Sequence, residues 1–118
     1  MLKTLSYFLC VVLLAITSPV FAHAVVTDVS LKIAPLHVGK PSEVSLTFNA
    51  KVELSLSQFH LVKKGDVHEK LTARLGSKRG EVIIAMPALE LGEHALKVRV
   101  FAVDGHLTDD IIRFFVVE

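Results

Sequence analysis

Beyond its first two dozen residues, this chain repeatedly alternates apolar and polar positions. Val44, Leu46 and Phe48 are interleaved with Glu43, Ser45 and Thr47, and Leu96, Val98, Val100 and Ala102 are interleaved with Lys97, Arg99 and Phe101. A period of two is that of a strand with one buried face. Phe59 to Lys63, Val67 to Leu75 and Val82 to Met86 read as further strands. An opening strand is predicted over Val25 to Ile33 and a closing one over Ile111 to Val117. Turn-forming clusters separate these runs at Lys64-Gly65-Asp66, Gly76 to Gly80 and Pro87 to Gly92. Helical spacing is not sustained after residue 23, and there is no repeat, low-complexity tract or linker. About seven short strands so punctuated predict one all-β domain, an antiparallel sandwich of immunoglobulin-like type.

The first 22 residues follow a different pattern. Lys3 precedes an apolar run from Leu5 to Ile16, broken only by Ser6 and Tyr7 and ended by Thr17-Ser18-Pro19. Val20-Phe21-Ala22 then sets a β-branched residue at −3 and a small one at −1 of a cleavage point, the form of a secretory leader. The run is shorter than the roughly 20 apolar residues that span a bilayer. Residues 1–22 are therefore expected to be a signal peptide and residues 23–118 the exported domain, with His23 as its first residue.

Removing the leader changes the chemistry available. Lys3 is lost, so 12 basic residues balance 12 acidic ones, which gives no electrostatic case for nucleic acid or for an anionic membrane face. Cys10 is lost as well, so the domain has no disulfide, thiol nucleophile or thiolate ligand and must be held by its apolar core. Tyr7 is the sole tyrosine and there is no tryptophan, leaving only phenylalanines as an aromatic platform.

Cleavage after Ala22 would put a free amine and an imidazole on one residue, His23, which together form a chelate for a divalent metal. Near the other end, Asp104 and His106 are two positions apart. In an extended segment their side chains leave the same side with Cα atoms roughly 6.6 Å apart, and Gly105 lets the strand end bend. Two or three nitrogens with a carboxylate oxygen suit a tetragonal ion. Cu(II) stands highest among the divalent first-row metals, while zinc would accept similar ligands tetrahedrally. The amine (about 7.7–8.0) and the imidazoles (about 6.5) must lose protons to bind, so affinity should fall in acid.

These features resemble the CopC family of periplasmic copper-binding proteins. The resemblance rests on the Ala22/His23 junction, on Ser45-Leu46-Thr47-Phe48, and on the stretch from Arg99 through Asp104-Gly105-His106 to Phe114 and Val116. It implies a β-sandwich that binds Cu(II) through the amine and imidazole of His23 and the imidazole of His106. Asp104 would serve as an oxygen ligand or close partner. The implied role is a copper carrier or buffer, not an enzyme, handing the ion to a membrane copper transporter or a soluble acceptor. This chain departs from the family pattern at Asn49-Ala50, where an acidic residue is common, and no carboxylate is expected from that strand. Val98 replaces a tryptophan, Leu107 a proline and Asp110 a glycine. Met86 is the only methionine after the leader, so the thioether Cu(I) site of some members is not expected.

Two other classes of function stay open at this point: a copper-dependent oxidative enzyme with a histidine-headed site, and an immunoglobulin-like interaction module without metal. His37, His60, His68 and His94 read as surface or locally hydrogen-bonded histidines. Mass spectrometry of the exported protein should find His23 at the amino terminus with one copper retained. A different first residue would remove the chelate.

Overall fold

The computed structural model describes residues 26–32 and 34–118, with nine strands among them. Val26–Val29 (β1), Ser42–Phe48 (β3), Ala73–Leu75 (β6) and Glu81–Met86 (β7) form a sheet in the order β1-β3-β7-β6. Leu36–His37 (β2), Gln58–Lys63 (β4), Val67–Lys70 (β5), Gly92–Phe101 (β8) and Leu107–Val117 (β9) form a second, ordered β2-β9-β8-β4-β5. All pairings are antiparallel except that of the two-residue β2 with β9. No helix among the described residues is long and apolar enough to cross a membrane.

The alternation seen in the sequence becomes the interior of a sandwich. Val44, Leu46, Val82 and Ile84 from the first sheet join Leu61, Leu96, Val98 and Val100 from the second in one buried cluster. Each such side chain contributes roughly 1.5–3 kcal/mol by leaving water. None of the buried residues among those described is polar or charged. The sole cysteine, Cys10, lies outside the described residues, and this cluster holds the two sheets together.

Three strand boundaries differ from the sequence expectation. The run Val67 to Leu75 is two strands that belong to different sheets, β5 paired with β4 and β6 with β7. Leu71 and Thr72 make the crossing. The Leu71 N–H donates to the Phe59 carbonyl (2.8 Å), and the Thr72 carbonyl accepts from the Ala85 N–H (2.9 Å), so each sheet satisfies one crossing residue. The opening strand ends at Val29, where Ser30–Lys32 turn into a 3-10 helix and the Ser30 hydroxyl accepts the Ser45 N–H at 2.9 Å; Val25 and Ile33 lie outside the described residues. The closing strand begins at Leu107 rather than Ile111, because Leu107–Asp110 pair with Val98–Phe101 despite their polar pattern.

Gly80 closes the β6–β7 connection at a φ of 76°. A Cβ there would press on the Phe48 carbonyl, the group next to the Phe48 N–H that donates to the Gly80 carbonyl at 2.8 Å. Gly39 has a similar φ of 72° with open space around it. Gly80→Ala should therefore cost more than about 2 kcal/mol, and Gly39→Ala only about 1 kcal/mol of backbone strain. Urea unfolding of both variants checks this, and equal losses would contradict the close approach.

Candidate metal centre

The unbroken register of β8 and β9, from Gly92↔Val116 to Phe101↔Leu107, delivers the chain to a tight connection at residues 102–106. Its ends are tied by the Ala102 N–H donating to the His106 carbonyl (2.9 Å) and by the Gly105 N–H donating to the Ala102 carbonyl (2.9 Å). Ala102 bridges Val52, and the Val103 N–H donates to the Lys51 carbonyl at 3.1 Å, fastening the turn to the segment that follows β3. Gly105 carries a φ of 90°, in the region that L side chains rarely adopt.

Asp104 and His106 are thus brought together by a turn, and not by the extended strand end that their spacing suggested. The His106 backbone N–H donates to Asp104 Oδ1 at 3.1 Å, and His106 Nδ1 lies 3.1 Å from Asp104 Oδ2. Aspartate readily receives the backbone N–H two residues on, which is why the residue before a turn glycine is so often Asp. The His106 backbone N–H is the main cause holding the Asp104 carboxyl below the usual carboxylate range, and its imidazole adds to the effect. Both side chains remain about one-third exposed (His106 33%, Asp104 38%), so an ion could reach them from solvent.

Among the described residues, no third histidine, cysteine or carboxylate joins this pair to make a metal-holding cluster. His23, the other sequence-expected ligand, lies outside the described residues. The chain resumes description at Val26, which pairs with Phe48 at the end of β3. Lys51, whose carbonyl receives the Val103 N–H, is three residues beyond Phe48. The start of β1 and the Asp104–His106 turn therefore occupy the same end of the sandwich.

The remaining histidines are used locally. His37 Nδ1 lies 2.9 Å from the Glu118 carbonyl, His68 Nε2 lies 2.8 Å from Asp66 Oδ1, and His94 Nε2 lies 2.8 Å from the Glu90 carbonyl. His94 also stacks on Phe114 at 5.7 Å, at the opposite end of β8 from the turn. His60 sits on the outer face of the second sheet, where burial, and then His68, Lys70 and Lys97, pull its imidazole pKa down. Sequence spacing found the Asp104–His106 pair but not the contact of both carboxylate oxygens with one histidine, which depends on the turn.

A carboxyl whose folded pKa is depressed stabilises the fold above its unfolded value, and that contribution fades as pH falls through the folded value. In NMR titration the Asp104 carboxyl should have a midpoint below the peptide value of about 3.9, and His106→Ala should move it back up. A midpoint at or above the peptide value would mean that these contacts do not persist in solution.

Known proteins share this fold. Among solved structures, CopC from Methylosinus trichosporium OB3b superposes with a TM-score of 0.66 at 24% identity, covering 80% of this chain and 94% of that one. PcoC, a methionine-rich copper resistance protein from Escherichia coli, gives 0.59 at 20% identity, covering 80% and 99%. At these identities the likeness is one of fold. A sequence search of curated proteins gives no match. The CopC domain model matches residues 35–117, which include the whole β8–turn–β9 unit, and the chain belongs to the CopC family.

Proposed function

We propose that this chain is a periplasmic Cu(II)-binding protein that carries or buffers copper in resistance or homeostasis. The ion would be held by the amine and imidazole of His23 and by His106, with Asp104 in support. The reading is carried by the Asp104–His106 turn. The carboxylate lies against Nδ1 of the imidazole, and His106 would bind an ion through Nε2. A carboxylate behind a ligating imidazole fixes its orientation and raises its basicity. Both Asp104 oxygens serve His106, which favours a positioning role for Asp104 over direct ligation.

Connectivity supports His23 as the completing ligand. Three peptide steps separate it from Val26, a reach of about 10 Å when extended, and Val26 starts the strand at the turn's own end of the sandwich. A nitrogen-rich set with a carboxylate at hand suits Cu(II), whereas Cu(I) prefers thioether and thiolate. Of the two methionines, Met1 falls in the predicted leader and Met86 is buried in the core, 2% exposed. The partly open turn suits delivery to a membrane copper transporter or a soluble acceptor, since an incoming ligand can reach the ion. Binding and release, without turnover, is the activity this arrangement supports.

Adding one or two residues before His23 should weaken Cu(II) binding sharply while leaving the sandwich intact. Asp104→Ala should cost about 10–100-fold in affinity and His106→Ala more, whereas His68→Ala should leave it nearly unchanged. Calorimetric titration against a competing chelator measures all four. Equal affinity in the extended and native forms would rule out the amino-terminal chelate, and a His68 effect exceeding that of His106 would mean the site is elsewhere.

A further inference from the structure

β9 is paired along its whole length with β8 on one side, but on the other side it meets only the two residues of β2 among those described. The Val117 carbonyl accepts the Val38 N–H at 2.8 Å, so Val117 directs its backbone groups toward the β2 side. The β8–β9 register has no shift. By the two-residue alternation, Arg113, Ile111, Asp109 and Leu107 therefore present their N–H and C=O groups to that same edge. Their side chains lie on the outer face of the sheet, with Ile111 56% and Phe115 62% exposed.

The outward residues along this edge read Leu107, Asp109, Ile111, Arg113, Phe115, a pattern that is complementary to itself about Ile111. We propose that this edge pairs antiparallel with the same edge of a second copy, around a two-fold axis at Ile111. Asp109 then faces Arg113 of the other copy on both sides of the axis, Ile111 faces Ile111, and Leu107 approaches Phe115. A two-fold interface must be self-complementary in this way, and directly opposed charges decide whether cross-strand pairs attract or repel. In the single chain these charges are loosely engaged: Asp109 is 3.8 Å from Arg99, and Arg113 is 3.7 Å from Glu93.

Two features limit the strength of the pairing. The Ile111 N–H already donates to Asp110 Oδ1 at 2.8 Å, so the Asp110 carboxylate must swing aside before the edge can pair. Polar plugs of this kind are how exposed edges are held back from uncontrolled pairing. Pro35 precedes β2 and borders the same groove as Phe115, so the backbone ladder ends near Arg113 and only side chains meet beyond it. The dimer is accordingly reversible and dependent on concentration.

Sedimentation equilibrium from micromolar to about 1 mM protein tests the proposal on the native chain, R113D, D109R and the double variant D109R/R113D. The native protein should associate to a dimer. Each single reversal sets like charges opposite each other twice per dimer and should weaken association about tenfold or more, and the double swap should restore it. A double variant as weak as the singles, or singles that associate like the native chain, would overturn the pairing. A native chain monomeric throughout would overturn it as well, leaving the edge to a strand of some other protein. All substituted positions are exposed, and if one single variant fails to fold, the other single and the double still decide the outcome.

Discussion

The ten-residue ladder between β8 and β9 is the constraint on which the other features depend. Its register runs without a bulge from Gly92↔Val116 to Phe101↔Leu107, so the position of residue 101 determines where residue 107 emerges. The turn between them has only five residues in which to reverse. Gly105 takes the left-handed conformation, and Asp104 receives the His106 N–H. A slip of one residue would turn Leu96, Val98 and Val100 out of the core, so burial of these three side chains holds the turn in place. Packing energy distributed over the sandwich is thereby converted into the placement of a single imidazole.

Much of this architecture is legible in the residues, and the reason lies in where each segment sits. Val44, Leu46, Phe48, Leu96, Val98 and Val100 alternate cleanly because their strands are central, with one face on the core. The start of β9 is not legible, because Leu107 to Asp110 lie near the sandwich's end on a strand open at one side. There the inward positions carry Thr108 and the exposed Asp110, which blurs the alternation. The break at Leu71-Thr72 is invisible for another reason. It contains neither glycine nor proline, and what divides the strand is the hydrogen bonding demanded by two different sheets. Asp104 and His106 could be picked out from type and spacing, but their mutual contact is a product of turn geometry.

The end of the sandwich carrying this turn is also where β1 begins, so the topology sets the start of the first strand beside the β8–β9 turn. β1 and β9 lie in different sheets, yet Val26 pairs with Phe48, and the Lys51 carbonyl just beyond receives the N–H of Val103. The proposed centre, assembled from an amino-terminal residue and a hairpin turn, would need no cavity of its own, and an ion there would stay accessible to an acceptor. The far end is chemically different: a groove of about 520 Å³ there is lined by Leu61, Val67, Leu89 and Leu91, with His94 committed to Glu90 and Phe114. The proposed chemistry is thus concentrated at one pole of the sandwich.

The measurement that bears most directly on the proposed centre is electron paramagnetic resonance of the Cu(II)-loaded protein beginning at His23. The account predicts one tetragonal copper with couplings to several nitrogens, including two imidazoles, of which one disappears in His106→Ala. A spectrum unchanged by His106→Ala, or one lacking imidazole coupling, would contradict it.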